Sequence, residues 1–233
     1  MTRVKICGMT NLEDALVAVD AGADAVGFVF YGKSPRCVTV ERAGEIAQKL
    51  PESVEKVGVF VGEPCDRICA VTQAAALTSA QIYPDFQNPN SIPNDEFLEN
   101  VPCAVIVALS ANQLLNGSAE DPDIITGLRV SRTAKERISG VLLDSGNSER
   151  PGGTGRTFRW SDVGPMVEII HQVGLNLFVA GGLTAKNVGE AIQLLHPSGV
   201  DVVSGVEASP GKKDPAKVRA FVRAVRELDR RVG

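Results

Sequence analysis

Met1-Thr-Arg-Val-Lys-Ile-Cys-Gly8 is the stretch whose reading decides the fold. Its alternation predicts a strand with Arg3, Lys5 and Cys7 on one face and Val4 and Ile6 on the other. Gly8 ends the strand beside a thiol, and a helix is expected next, with Thr10 and Glu13 as a capping box and Leu12, Ala15, Leu16 and Val19 at helical spacing. A cysteine therefore stands at a strand-to-helix turn. In parallel α/β architectures ligands collect at that end of the strands.

The same unit recurs along the chain. Ala25-Val-Gly-Phe-Val-Phe30 is apolar on both faces, as a strand buried in a parallel sheet would be, and Thr39 is placed to cap the helix that follows. Further strands are read at Lys56–Val61, Ser79–Tyr83, Cys103–Leu109, Gly140–Asp144, Leu175–Ala180 and Val200–Ser204. Helices are expected after Pro64, near Asp95 to Glu99, over Val163–Ile170, after a Thr184 cap and from Asp214-Pro215. Gly22-Ala-Asp-Ala-Val26 and Gly199-Val-Asp-Val-Val203 echo each other at the entries to two strands. Prolines at 84, 89, 93 and 102 make 85–102 mostly loop, and 110–137 shows only patchy helical spacing.

Eight strand-and-helix units within 233 residues match a (β/α)8 TIM barrel, eight parallel strands ringed by helices, as a single domain over 1–233. An open doubly wound sheet is the alternative, but no Gly-x-Gly-x-x-Gly opens the first helix.

Composition narrows the function classes. With 44% apolar and 22% charged residues the chain has the make-up of a soluble globular domain, and its net charge of −4 without a basic cluster argues against nucleic acid. No apolar run approaches the roughly 20 residues of a membrane span, so a cytoplasmic location and no membrane partner are expected. Five cysteines without paired spacing suit reduced thiols. Cys65 and Cys69 lie four apart on an expected helix, far in sequence from His171 and His196, so no metal site is expected. The oligomeric state stays open between monomer and homodimer.

Acid–base chemistry at the strand ends then falls to cysteine, carboxylate or lysine. Cys7 is the candidate base, with Lys5 two residues back on the same face to favour its thiolate, although a lone cysteine is more commonly a small buried hydrophobe. Asp144 closes an apolar strand and would project into the mouth, where a partly desolvated carboxyl can hold and give a proton; aspartate is also a common turn residue. Arg36, in the loop after the second strand, could fork onto a substrate carboxylate. Gly181-Gly182 and Ser204-Gly205 set bare amides after strands seven and eight, where such barrels often hold a phosphate, and Gly152-Gly153-Thr154-Gly155 adds a third amide-rich loop.

Val4-Lys-Ile-Cys-Gly8, Ser34-Pro-Arg36, Leu142-Leu-Asp144 with Gly152-Gly-Thr-Gly155, Gly181-Gly-Leu183 and Ser204 to Asp214 together resemble the phosphoribosylanthranilate isomerase family of tryptophan biosynthesis, nearly end to end. The resemblance implies a cofactor-free Amadori rearrangement of N-(5-phosphoribosyl)anthranilate to the corresponding aminoketose. It casts Cys7 as the base at C2 of the sugar and Asp144 as the acid at the ring oxygen. Arg36 would help hold the anthranilate carboxylate, with Gly153, Gly181, Gly182, Ser204 and Gly205 among the substrate-binding residues. Two departures stand out. Gln81-Ile-Tyr-Pro84 replaces the family's usual Gln-Leu-His-Gly, and Val107-Ala108 stands where a lysine usually ends strand five. A related barrel acting on another phosphorylated aminosugar, a non-catalytic sugar-phosphate binder and, last, a Schiff-base lyase using Lys5 are the competing readings.

Overall fold

A computed structural model describes residues 1–85, 93–111, 136–145 and 159–232. The strands β1 (Arg3–Cys7), β2 (Ala25–Val29), β3 (Glu55–Val61), β4 (Ser79–Tyr83), β5 (Ala104–Ser110), β6 (Ile138–Asp144), β7 (Leu177–Val179) and β8 (Gly199–Val202) pair in sequence order into a closed barrel. All pairs are parallel, and β8 closes on β1 with Lys5 opposite Asp201. Closure leaves the barrel without an exposed edge strand. The expected (β/α)8 architecture is the one observed.

The strand alternation read from the sequence sorts the side chains into two cores. Val4, Ile6, Val26, Phe28, Phe60, Ile82 and Leu143 point outward and are fully buried under the helices. Covering each such side chain contributes roughly 1.5–3 kcal/mol. Cys7, Ala25, Val57, Val59, Tyr83, Ile106, Ala108, Leu142, Phe178 and Ala180 fill the barrel interior.

The covering helices are α1 (Leu12–Asp20), α2 (Val40–Ala47), α3 (Cys65–Ala74), α4 (Asp95–Asn100), α5 (Gly164–Gln172), α6 (Val188–Leu195) and α7 (Pro215–Val232). Thr39 caps α2 through Arg42 N at 3.1 Å, and Asp214 accepts from Ala216 N and Lys217 N at the start of α7, both as expected. Two caps differ. Asn11, not Thr10, caps α1 by accepting from Asp14 N at 2.8 Å, because the Thr10 hydroxyl is drawn away to donate to the Gly211 carbonyl at 2.6 Å. Likewise α6 begins at an Asn187 N-cap, and Thr184 sits in the preceding turn, with its amide donating to Asn187 Oδ1. An unforeseen element lies between β8 and α7, where β9 (Glu207–Ser209) and β10 (Lys212–Lys213) form a two-stranded antiparallel hairpin. Most of 110–137, together with the Gly152–Gly155 loop, lies outside the described residues.

Candidate active site

The mouth of the barrel at the carboxyl ends of the strands opens into a cleft of about 630 Å3, counted out to its opening. Cys7, Asp144, Arg36, Gly181, Gly182, Ser204 and Gly205 all line it. Seven of the eight residues expected at the site are thus brought together, and Gly153 lies outside the described residues.

Cys7 ends β1 with its thiol buried. Lys5 sits one layer below it, and its Nζ donates to Asp201 Oδ1 at 3.0 Å across the β1–β8 closure. Burial is the largest single influence and works against the Lys5 charge, but Asp201 and Cys7 together outweigh it and hold the ammonium above the usual lysine value. A lysine so held has no free lone pair, which removes the Schiff-base reading. For Cys7 the balance falls the other way. Burial pushes the thiol up from its ordinary value, and the pull of Lys5 offsets this only in part. Lys5 does act on Cys7 as the sequence suggests, but Asp201 shares its charge. Asp201 escaped notice because a lone aspartate within Gly199-Val-Asp-Val202 shows no partner until the barrel closes.

Asp144 ends β6, three strands round the ring from β1. The Tyr83 hydroxyl, at the end of β4, donates to Asp144 Oδ2 at 2.8 Å, and Gln81 Nε2 donates to Tyr83 Oη at 3.3 Å. Burial first and the neighbouring Asp144 charge second drive Tyr83 well above the ordinary phenol value, so it stays protonated. The two departures in this wall therefore differ in consequence. Tyr83 returns a polar group to the end of β4. Val107 belongs to the outer core and contributes nothing to the mouth, contrary to expectation, while Ala108 and, by alternation, Ser110 occupy the inner face of β5.

Arg36 is already engaged. Its Nε and Nη2 donate to Glu207 Oε1 and Oε2 at 2.9 and 2.7 Å, a bidentate pair that leaves Nη1 as the third guanidinium nitrogen. Glu207 also receives Lys213 Nζ at 3.2 Å and Gly211 N at 3.2 Å. Burial raises the Glu207 carboxyl, but Arg36 and Lys213 together hold it below its ordinary value. Lys213, itself fully buried, donates further to the Cys7 carbonyl at 2.6 Å and to the Val203 carbonyl at 3.3 Å. The β9–β10 hairpin thus ties the ends of β1 and β8 to the loop after β2. The sequence shows this only as charges, spaced far apart, on either side of a glycine turn.

On the remaining wall Gly181 has φ +89°, and a Cβ there would run into Ser145, the residue after Asp144. A Cβ on Gly205 would be driven into the Leu183 carbonyl oxygen. Glycine is required at both positions for these close backbone approaches, and both residues line the common cleft.

A sequence model of N-(5'-phosphoribosyl)anthranilate (PRA) isomerase matches residues 4–224. The chain belongs to the phosphoribosylanthranilate isomerase family. It is 43% identical to N-(5'-phosphoribosyl)anthranilate isomerase of Pelobacter propionicus over 227 residues, covering 97% of each chain. The crystal structure of phosphoribosyl anthranilate isomerase from Thermotoga maritima superposes with a TM-score of 0.78 at 36% identity, over 97% of this chain and 100% of that one. A phosphoribosyl anthranilate isomerase solved in complex with reduced 1-(o-carboxyphenylamino)-1-deoxyribulose 5-phosphate superposes at 0.75 with 35% identity, over 97% of this chain and 100% of that one. Among the described residues of this family member, no helix is long and apolar enough to cross a membrane. Cys65 and Cys69 do share α3, with their sulfurs 3.7 Å apart.

Proposed function

We propose that the chain catalyses the isomerisation of N-(5'-phosphoribosyl)anthranilate to 1-(2-carboxyphenylamino)-1-deoxyribulose 5-phosphate, as a cytoplasmic, cofactor-free, single-domain enzyme. The observation that carries this reading is the placing of Cys7 and Asp144 at separate strand ends of one cleft, with the Gly181-Gly182 and Ser204-Gly205 loops forming its wall. In this reading Asp144 gives a proton to the ribose ring oxygen as the C1–O bond breaks, which leaves an open iminium. The Cys7 thiolate then takes the proton from C2, and the resulting enolamine tautomerises to the ketone. No atom is gained or lost.

The environment of each group suits its part. Burial keeps the Cys7 thiolate a strong base once formed, and Lys5 supplies the compensating charge beneath it. Gly181, Gly182, Ser204 and Gly205 bind the phosphate through backbone and hydroxyl donors. Arg36 meets the anthranilate carboxylate through Nη1 while Glu207 holds the rest of the guanidinium.

The test is the decay of anthranilate-type fluorescence when freshly made phosphoribosylanthranilate is mixed with wild-type protein, Cys7→Ala and Asp144→Ala. Wild type turns over, and each variant falls by about 10²–10⁴-fold, the range for loss of a general acid or base. A folded wild-type protein without turnover would refute the reading. A variant that keeps near wild-type activity would remove that residue from its role.

A further inference from the structure

The proposed roles leave the phenol of Tyr83 without one, although it donates to Asp144 Oδ2 at 2.8 Å. Tyr83 stands on β4 and Asp144 on β6, so their bond passes over the intervening β5. Ile82 pairs with Val107, which sets Tyr83 level with Ala108, and that small inward side chain leaves the phenol room to cross. The proton count then fixes the direction of the bonds. Gln81 Nε2 donates to Tyr83 Oη, so the single phenolic proton goes to Asp144 Oδ2. An oxygen that accepts this bond is not the one that carries the transferable proton. We assign that proton to Oδ1, whose neighbour Ser145 Oγ at 3.5 Å is a hydroxyl that can accept as well as donate, and after transfer Tyr83 remains to stabilise the carboxylate left behind. The ring itself is part of the packed barrel interior, so the hydroxyl can be removed with the fold in place.

Resting on the isomerase reading, we infer that Tyr83, oriented by Gln81, is the positioning residue of the general acid: it presents one oxygen of Asp144 as the proton donor and stabilises its conjugate base. Tyr83 acts through Asp144 and takes no proton from the substrate.

Tyr83→Phe, Asp144→Ala and the double variant separate this from other roles when kcat and KM are measured for each. Tyr83→Phe lowers kcat by about tenfold, as loss of one hydrogen bond to a charged group predicts, and leaves KM within about twofold. In the Asp144→Ala background the same change has no further effect, because the group through which Tyr83 works is gone. An unchanged kcat in Tyr83→Phe, a rise in KM alone, or an equal tenfold loss in both backgrounds would each overturn the inference while leaving the isomerase reading intact. Absence of turnover by wild type would overturn both.

Discussion

The two halves of the barrel interior solve opposite electrostatic problems. Around β1, β2 and β8 the side chains form buried ion pairs, Lys5 with Asp201 and Arg36 and Lys213 with Glu207, and Cys7 stands among them. Around β4, β5 and β6 the described side chains at the mouth are linked through uncharged donors, Gln81 to Tyr83 and Tyr83 to Asp144, over a floor of Ile106, Ala108 and Leu142. A thiol has to be ionised to act as a base, and the charged half supplies a cation beneath it. A carboxyl that gives up a proton is helped by a donor aimed at the carboxylate left behind, and the Tyr83 hydroxyl is such a donor. In the proposed reaction this difference would let one barrel serve a base and an acid by lining its two sides with different kinds of polar group.

The sharpest attempt to break this contrast is Glu207→Gln. It leaves the Arg36 and Lys213 charges buried without their carboxylate, and urea unfolding should show a loss of about 3–5 kcal/mol. Because the folded carboxyl lies below its ordinary 4.5, its contribution is full above that pH and fades as pH falls through the folded value. The gap between wild type and variant should therefore narrow below about pH 4.5; a gap that widened would mean the ion pairs are not its source. Next in size is Lys5→Met, which strands Asp201 and should cost about 3 kcal/mol, largely recovered in Lys5→Met with Asp201→Leu. Around β4 to β6 Gln81→Leu should change stability by less than about 1 kcal/mol. Its Oε1 is buried with no partner among the described residues, so little is lost. Equal costs for Lys5→Met and Gln81→Leu would erase the distinction between the halves.

The smallest effect is kinetic. Burial raises the Cys7 thiol, so its alkylation by iodoacetamide should run about tenfold or more behind that of the exposed Cys37 at pH 8. The Cys7 rate should keep climbing above about pH 10, where a thiol of the ordinary value 9.0 has nearly levelled off. Mass spectrometry of the modified peptides reads both rates. A Cys7 as quick as Cys37 would show that Lys5 outweighs burial.

Much of the architecture was legible because strand alternation and capping act over a few residues. Arg3–Cys7 shows its two faces directly, and Thr39 and Asp214 cap as their local spacing says. Thr10 misled because its hydroxyl answers to Gly211, 201 residues away. Val107 misled because a shift of one residue along a strand turns a side chain from the mouth to the outer core.

By itself the sequence determined the eight-fold repetition, and with it the placing of Cys7, Asp144 and the late glycines at strand ends, since short-range patterning is enough to say where a strand stops. Only the tertiary structure decided which groups surround them. Lys5 meets Asp201 across 196 residues, Arg36 meets Glu207 across 171, and Tyr83 meets Asp144 across 61. Those meetings depend on strand register and on closure of the ring, and the strength of a buried acid or base is set by the charges and donors that closure brings within bonding distance.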